Sequence, residues 1–297
     1  MASPTNATAS MSARWNKSDI VQEQPSAQPQ AGWTALVLAG ARGGADPVAR
    51  TRGVSHKALA PIAGIPMLER VLDALQASQT IDHIALCGPW DSPHPPQVDD
   101  LAQRLQQARP GLGFSYLVPQ ASPARSAAAC LEHLALPVLL TTADHALLTP
   151  AIIDSFCATA SHSQLDLAVG LVPHERVSNA FPDSRRTRLR FVEGAFCGAN
   201  LFALRHPKAT EVVSFWRQLE DARKQPFTMA RRLGLGTLLG YVLGRLSLSR
   251  LLRRLSARFG LRLGVVVLDD PEAAVDVDSL DDLALVEHCL ARRTVAR

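Results

Sequence analysis

Residues 34–39 form a short apolar run with no charged break, and the run ends abruptly in Gly40. A strand apolar on both faces must be covered on both faces, the situation of a parallel strand in a sheet sandwiched between helices. A helical pattern follows at 66–75, where Pro66 opens the segment and Met67, Leu68, Val71, Leu72 and Leu75 recur at helical spacing. The alternation then repeats. Apolar strand patterns at 81–87, 114–118 and 137–143 are each followed by a helical stretch, at 98–108, 123–134 and 150–160. This predicts an α/β fold with a mostly parallel, mixed sheet and helices on both faces.

Further strands are expected at 166–172, 199–204 and 263–268, with a polar, Arg-rich connection at 174–190 projecting as a loop or hairpin. Helices dominate 207–260 as a late Arg/Leu-rich insertion, and 280–292 reads as a closing helix. At 297 residues the chain can bury one such domain over 33–297. Residues 1–32 are rich in Ser, Ala, Thr, Gln and Pro without a continuous apolar run, and read as a disordered tail and not an export signal. The cysteines Cys87, Cys130, Cys157, Cys197 and Cys289 are scattered and never form a C-x-x-C pair. That excludes a disulfide scaffold or zinc ribbon and predicts reduced, buried thiols in a cytoplasmic protein.

The net charge of +4 is concentrated: residues 222–268 hold ten Lys/Arg and no Asp or Glu, leaving acid in excess elsewhere. With few aromatics interleaved, a nucleic-acid platform is not expected. On a helical wheel Leu248, Leu252, Leu255 and Phe259 share one side, opposite Arg250, Arg253 and Arg254. Such a helix either docks on the sheet or offers 228–262 to an anionic membrane, which would make the protein peripheral to the inner face of a membrane.

Candidate chemistry lies in four stretches. Leu38, Ala39, Gly40 and Arg42 stand where a strand opens into a loop, at the carboxyl end where α/β sheets place ligands. Glycine there lets backbone N–H groups approach phosphate oxygens, and Arg42 adds a bidentate cation. Lys57, before an apolar turn and Pro66, points an ammonium back toward that loop. Asp144 is delivered by the buried strand 137–143, where it serves either as a functional carboxylate or as a turn former. In 275–283, Asp276 and Asp278 fall on one face of an extended segment, whereas Asp281 and Asp282 sit in a first helical turn as complements to the helix dipole.

Leu38-Ala-Gly with Arg42, Lys57-Ala-Leu, Gly64 with Pro66-Met-Leu, and Asp276-Val-Asp-Ser-Leu-Asp-Asp-Leu283 together resemble the nucleotidyltransferase family of GT-A-like, Rossmann-like fold, the molybdenum-cofactor guanylyltransferase-like group among them. The resemblance implies an enzyme that moves an NMP moiety from an NTP to a phosphorylated small molecule and releases pyrophosphate. It implies Mg²⁺ on Asp144 and on Asp276 or Asp278, and triphosphate contacts from Arg42 and Lys57. It implies base contacts near Gln120, Ser122 and Ser126, and an acceptor pocket lined by Gly198 and Asn200. A phosphomonoester is largely dianionic at pH 7, so this reaction needs no general base. A glycosyltransferase using a nucleotide sugar, and a degenerate nucleotide-binding or membrane-associated protein, are the alternatives. Lys57 behind the Gly/Arg loop speaks against the first, and the carboxylates against the second.

Overall fold

Residues 33–38 are buried at every position, and their side chains divide by alternation between two cores. Ala35 and Val37 face one, Leu36 and Leu38 the other. Period-two geometry makes this division automatic, and the same holds for Leu139 against Val138 and Leu140.

The computed structural model describes residues 19–24, 30, 32–40, 46–88, 96–222 and 235–295. The chain begins with β1 (Ile20–Gln22), β2 (Trp33–Leu38), α1 (Pro47–Arg52), a 3-10 turn (Lys57–Leu59), β3 (Pro61–Ile62) and β4 (Ile65–Pro66). Then come α2 (Met67–Ala77), β5 (Ile81–Cys87), α3 (Pro96–Ala108), β6 (Gly113–Leu117), α4 (Pro123–Leu131), β7 (Val138–Thr142) and α5 (Pro150–His162). β8 (Leu167–Pro173), α6 (His174–Ala180), β9 (Leu189–Phe191), β10 (Gly194–Leu204) and α7 (Ala209–Ala222) follow. The chain closes with α8 (Leu235–Val242), α9 (Leu248–Phe259), β11 (Leu263–Val267), a 3-10 turn (Pro271–Ala274) and α10 (Leu280–Val295).

The main sheet runs β1–β11–β8–β10–β7–β2–β5–β6, with β9 added to β10. Every pairing is parallel except those of β10, which is antiparallel to β7, β8 and β9. From β2 the chain moves outward to β5 and β6, then returns to lay β7 on the other side. This is the mixed α/β fold expected, and the reversal at β2 opens a crevice at the carboxyl ends of β2 and β7.

Three local readings are corrected. Ile20–Gln22 does not belong to a disordered tail: it pairs in parallel with Val265–Val267 and buries Ile20. A short segment can do this because β11 supplies the ladder, and its edge would otherwise be open. The connection at 174–190 contains α6, whose single buried apolar residue, Val177, is too little pattern to read. The following strand starts at Gly194 and not near 199, because β9 pairs with its first residues.

The apolar stripe of α9 is core. Leu248 and Leu252 are buried with the sheet's Leu36 and Leu263, and Leu255 and Phe259 pack against the same cluster. Phe259 meets Phe215 at 5.6 Å between centroids, with the Arg258 guanidinium 4.3 Å from the Phe215 ring centroid. A face covered by protein cannot enter lipid, so this stripe is no membrane face. No described helix is long and apolar enough to cross a membrane. Truncating Leu252 to Ala should cost about 2–5 kcal/mol in urea unfolding, the range for a buried leucine. A loss below about 0.5 kcal/mol, typical of exposed positions, would contradict this docking.

Candidate active site

Two backbone hydrogen bonds draw separate segments together at the crevice. Ala143 N donates to Leu38 O at 3.0 Å, holding the end of β7 to the start of the glycine loop. Val277 N donates to Asp144 O at 3.0 Å, pinning the segment before α10 against Asp144. Lys57 arrives from the 3-10 turn after α1. Asp46 caps α1 by accepting from Val48 N and Ala49 N, and Gly53 ends it at φ +65°, a left-handed conformation that favours glycine.

The Lys57 ammonium bridges two carboxylates, donating to Asp144 Oδ2 at 2.8 Å and to Asp278 Oδ1 at 2.6 Å. Burial disfavours the charged lysine, but Asp144 and Asp278 outweigh it and raise its pKa above the ordinary range. Burial likewise opposes ionisation of Asp144, and the Lys57 charge and hydrogen bond reverse the balance, holding it below the usual carboxylate range. His145, buried beside Asp144, is pushed down to about 4 by burial and stays neutral at pH 7.

Beside this pair lies a second ion cluster. Arg186, only 8% exposed, pairs with Asp276 Oδ1 and donates to Asp282 Oδ1 at 2.5 Å. Asn200 Nδ2 donates to Asp276 Oδ2 at 3.0 Å, so both Asp276 oxygens have partners. Burial and the nearby Asp144 charge still raise the Asp276 pKa against the pull of Arg186. Asp282 also accepts from Ser279 N at 2.9 Å and Ser279 Oγ at 2.7 Å, and Ser279 Oγ accepts from Asp282 N at 3.2 Å. This is a reciprocal cap at the start of α10. Asn200 stands at φ +49°, where β10 shifts register between Gly198 and Phe202. A non-glycine residue held there by its own hydrogen bond marks a constrained, site-facing position.

The family profile of the MobA-like NTP transferase domain matches residues 35–262. The chain belongs to this family. It is an enzyme of the nucleotidyltransferase type. A hypothetical transferase from Thermus thermophilus is 30% identical, covers 86% of this chain and 99% of its own, and superposes with a TM-score of 0.67. A 4-diphosphocytidyl-2C-methyl-D-erythritol synthase (11% identity, 88% and 99% covered, TM-score 0.51) shares the fold. So does a CMP:2-keto-3-deoxy-manno-octonic acid synthetase complexed with CTP (12% identity, 89% and 99% covered, TM-score 0.50). No curated protein matches the sequence.

In this MobA-like transferase the expected site residues fall into neighbouring groups. Lys57, Asp144 and Asp278 form one, and Asp276 with Asn200 the next. Leu38 and Ala39 are buried, and exposed Gly40 lies against the loop before α4: a Cβ on it would sit 3.6 Å from Pro119 Cβ. Gln120 N of that loop donates to Ser126 Oγ of α4 at 2.8 Å, and Ser122 caps α4 through Arg125 N at 3.3 Å. These hydroxyls therefore shape the loop, whereas the Gln120 side chain is exposed. Gly198 is exposed, with open space where a side chain would be. Arg42 lies outside the described residues.

Arg186 is the site residue that sequence reasoning missed. It is one of several arginines in the 174–190 connection, and nothing local separates it from Arg185 or Arg188. Replacing Arg186 with Ala should destabilise the protein by about 1.5–3 kcal/mol in urea unfolding, because two partly buried carboxylates lose their charge-assisted hydrogen bonds. Arg186→Lys should recover only part of that, since one ammonium cannot reproduce the two-pronged contact.

The Lys57–Asp144 pair also makes a pH prediction. With Asp144 depressed and Lys57 elevated, its contribution is fully present between about pH 5 and pH 10. It fades as pH falls below about 4 through the depressed carboxyl pKa, and as pH rises beyond the ordinary lysine value of about 10.4. The stability gap between wild type and Lys57→Met should therefore be widest near neutrality and narrow in acid. A gap unchanged from pH 7 to pH 3 would contradict the pairing.

Proposed function

We propose that the protein catalyses transfer of an NMP moiety from an NTP to a phosphorylated small molecule, with Asp144 and Asp278 as its metal-binding carboxylates. The observation carrying this reading is the convergence of both carboxylates on one cation, at the carboxyl end of β7 beside β2.

The donor set fits Mg²⁺. Both groups offer hard oxygens, and Asp144 Oδ1 is buried without a hydrogen-bond partner. Among the described residues no cluster of three or more His, Cys, Asp or Glu is poised to cage a metal. Mg²⁺ is commonly bound by one or two carboxylates together with water and substrate phosphates, so two suffice. Asp276 fits less well, because Arg186 and Asn200 already hold both its oxygens. Mg²⁺ supplies charge neutralisation between the incoming phosphate and the triphosphate.

The chain's own groups do the positioning. Lys57, which holds Asp144 and Asp278 in the folded chain, would offer its ammonium to the triphosphate, and Arg42 would add a second cation. The amide of Gly40 would approach the phosphates, and the segment from Gln120 to Ser126 would face the base. Gly198 leaves room for the acceptor, and Asn200 borders it. A phosphate oxygen of the acceptor attacks the α-phosphorus, the bond from that phosphorus to the bridging oxygen breaks, and pyrophosphate leaves. The acceptor is already anionic, so no proton need be removed. Electrostatic stabilisation of the accumulating charge is the main demand on the site.

The test is pyrophosphate release with each NTP and candidate phosphate acceptors, after a Mg²⁺-dependent thermal-shift screen. Asp144→Ala should leave less than about a tenth of the turnover. Lys57→Ala should lower kcat/KM at least about 10-fold, as expected for loss of a charge-assisted contact. Asp278→Asn should raise the Mg²⁺ concentration needed for half-maximal rate, whereas Asp276→Asn should act mainly on stability. An unchanged Mg²⁺ requirement in Asp278→Asn would remove Asp278 from the metal site.

A further inference from the structure

With the stripe of α9 buried, the exposed apolar surface of the Arg-rich region lies elsewhere. Leu239, Tyr241, Val242 and Leu243 are all exposed on α8 and the turn after it, Val242 at 73%. Val192, at the tip of the β9–β10 hairpin, is 65% exposed. The two segments are joined: Val192 N donates to Leu246 O at 2.9 Å, and the rings of Phe191 and Tyr241 lie 6.4 Å apart. Large apolar side chains gathered in one place on a surface mark a contact site, whereas isolated ones are ordinary.

Charge indicates what the patch meets. Arg190 on β9, Arg188 just before it, Arg245 in the turn after α8 and Arg250 in the first turn of α9 are all exposed, and among the described residues no ion pair joins any of them to a carboxylate. The nearby acid, Glu193, is turned onto the start of α9. It accepts from Ser247 Oγ at 2.7 Å, Leu248 N at 2.8 Å and Ser249 N at 3.0 Å. An apolar tip ringed by arginines suits an anionic bilayer, where apolar side chains enter about 5–10 Å and cations meet the headgroups. A second copy of the chain suits it poorly, because a two-fold contact would set these arginines against their own counterparts.

We propose that α8, its following turn and the β9–β10 hairpin dock this protein on anionic lipid bilayers. The patch stands apart from the active site. Asn200 lies six positions beyond Gly194 along β10, at most about 20 Å at the rise of an extended strand. Docking is therefore independent of the nucleotidyl-transfer reading.

The experiment is sedimentation of the full chain with phosphatidylglycerol/phosphatidylcholine vesicles and with phosphatidylcholine vesicles alone. The wild type should partition onto the anionic vesicles, and much less onto neutral ones. Each of Arg245→Gln and Arg250→Gln should weaken that partitioning about fivefold. Leu239→Ser/Val242→Ser should weaken it at least about tenfold while leaving urea stability and NTP-induced thermal shift unchanged, since both side chains are exposed. Absence of wild-type binding would overturn the proposal. So would full binding by the double serine variant, which would reduce the effect to charge alone. Concentration-dependent self-association abolished by the same variant would assign the patch to a second copy, and would also overturn it.

Discussion

Asp144, Asp276 and Asp278 are brought together at a place partly shielded from water, and the arrangement is stable only because cations meet them. Lys57 takes Asp144 and Asp278, and Arg186 takes Asp276 and Asp282. Burial opposes the ionisation of Asp144 and of Asp276, and Lys57 and Arg186 respectively pull against it. The two cations differ in kind. Lysine is a compact point charge on a flexible stem. Arginine is a planar fork suited to a fixed double contact, and Arg186 is almost wholly buried in that role. One cluster thus rests on a lysine shared by two carboxylates, and its neighbour on an arginine held by two others.

The sheet explains why these groups meet. Parallel strands β2 and β7 end side by side, and the chain leaves them in opposite directions, so the loops after them border one crevice. β10, antiparallel among parallel neighbours, carries Asn200 into the same space through its register shift. The backbone bond from Val277 to Asp144 then secures the closing segment. Two residues apart, Asp276 and Asp278 nevertheless take different partners. Asp276 is held by Arg186 and Asn200, and Asp278 by Lys57.

The Arg-rich region shows how far a helical wheel can be taken. It separates leucines from arginines on α9, but amphipathicity says only that a face is covered, not by what. In the folded chain that cover is the sheet, together with Phe215 of α7. The uncharged α8 has no such wheel signature, and yet it is the one that leaves large side chains in solvent. Exposure belongs to the packed molecule.

What the sequence determined by itself was whatever is encoded over a few residues. The doubly apolar runs dictate buried parallel strands, their spacing dictates covering helices, and the Leu38-Ala-Gly, Lys57 and Pro66-Met-Leu stretches point to the family whose profile matches residues 35–262. These signals are legible because strand alternation, helix period and motif spacing are local properties of the chain. Tertiary structure alone decided which of several arginines pairs with Asp276 and that residues 20–22 complete an edge. It also decided which apolar face of the Arg-rich region is covered. Each of those outcomes depends on a partner far away along the chain, Arg186 and Asp276 being 90 residues apart. Between such distant residues the choice is made by packing and charge neutralisation, and by nothing written in their neighbours.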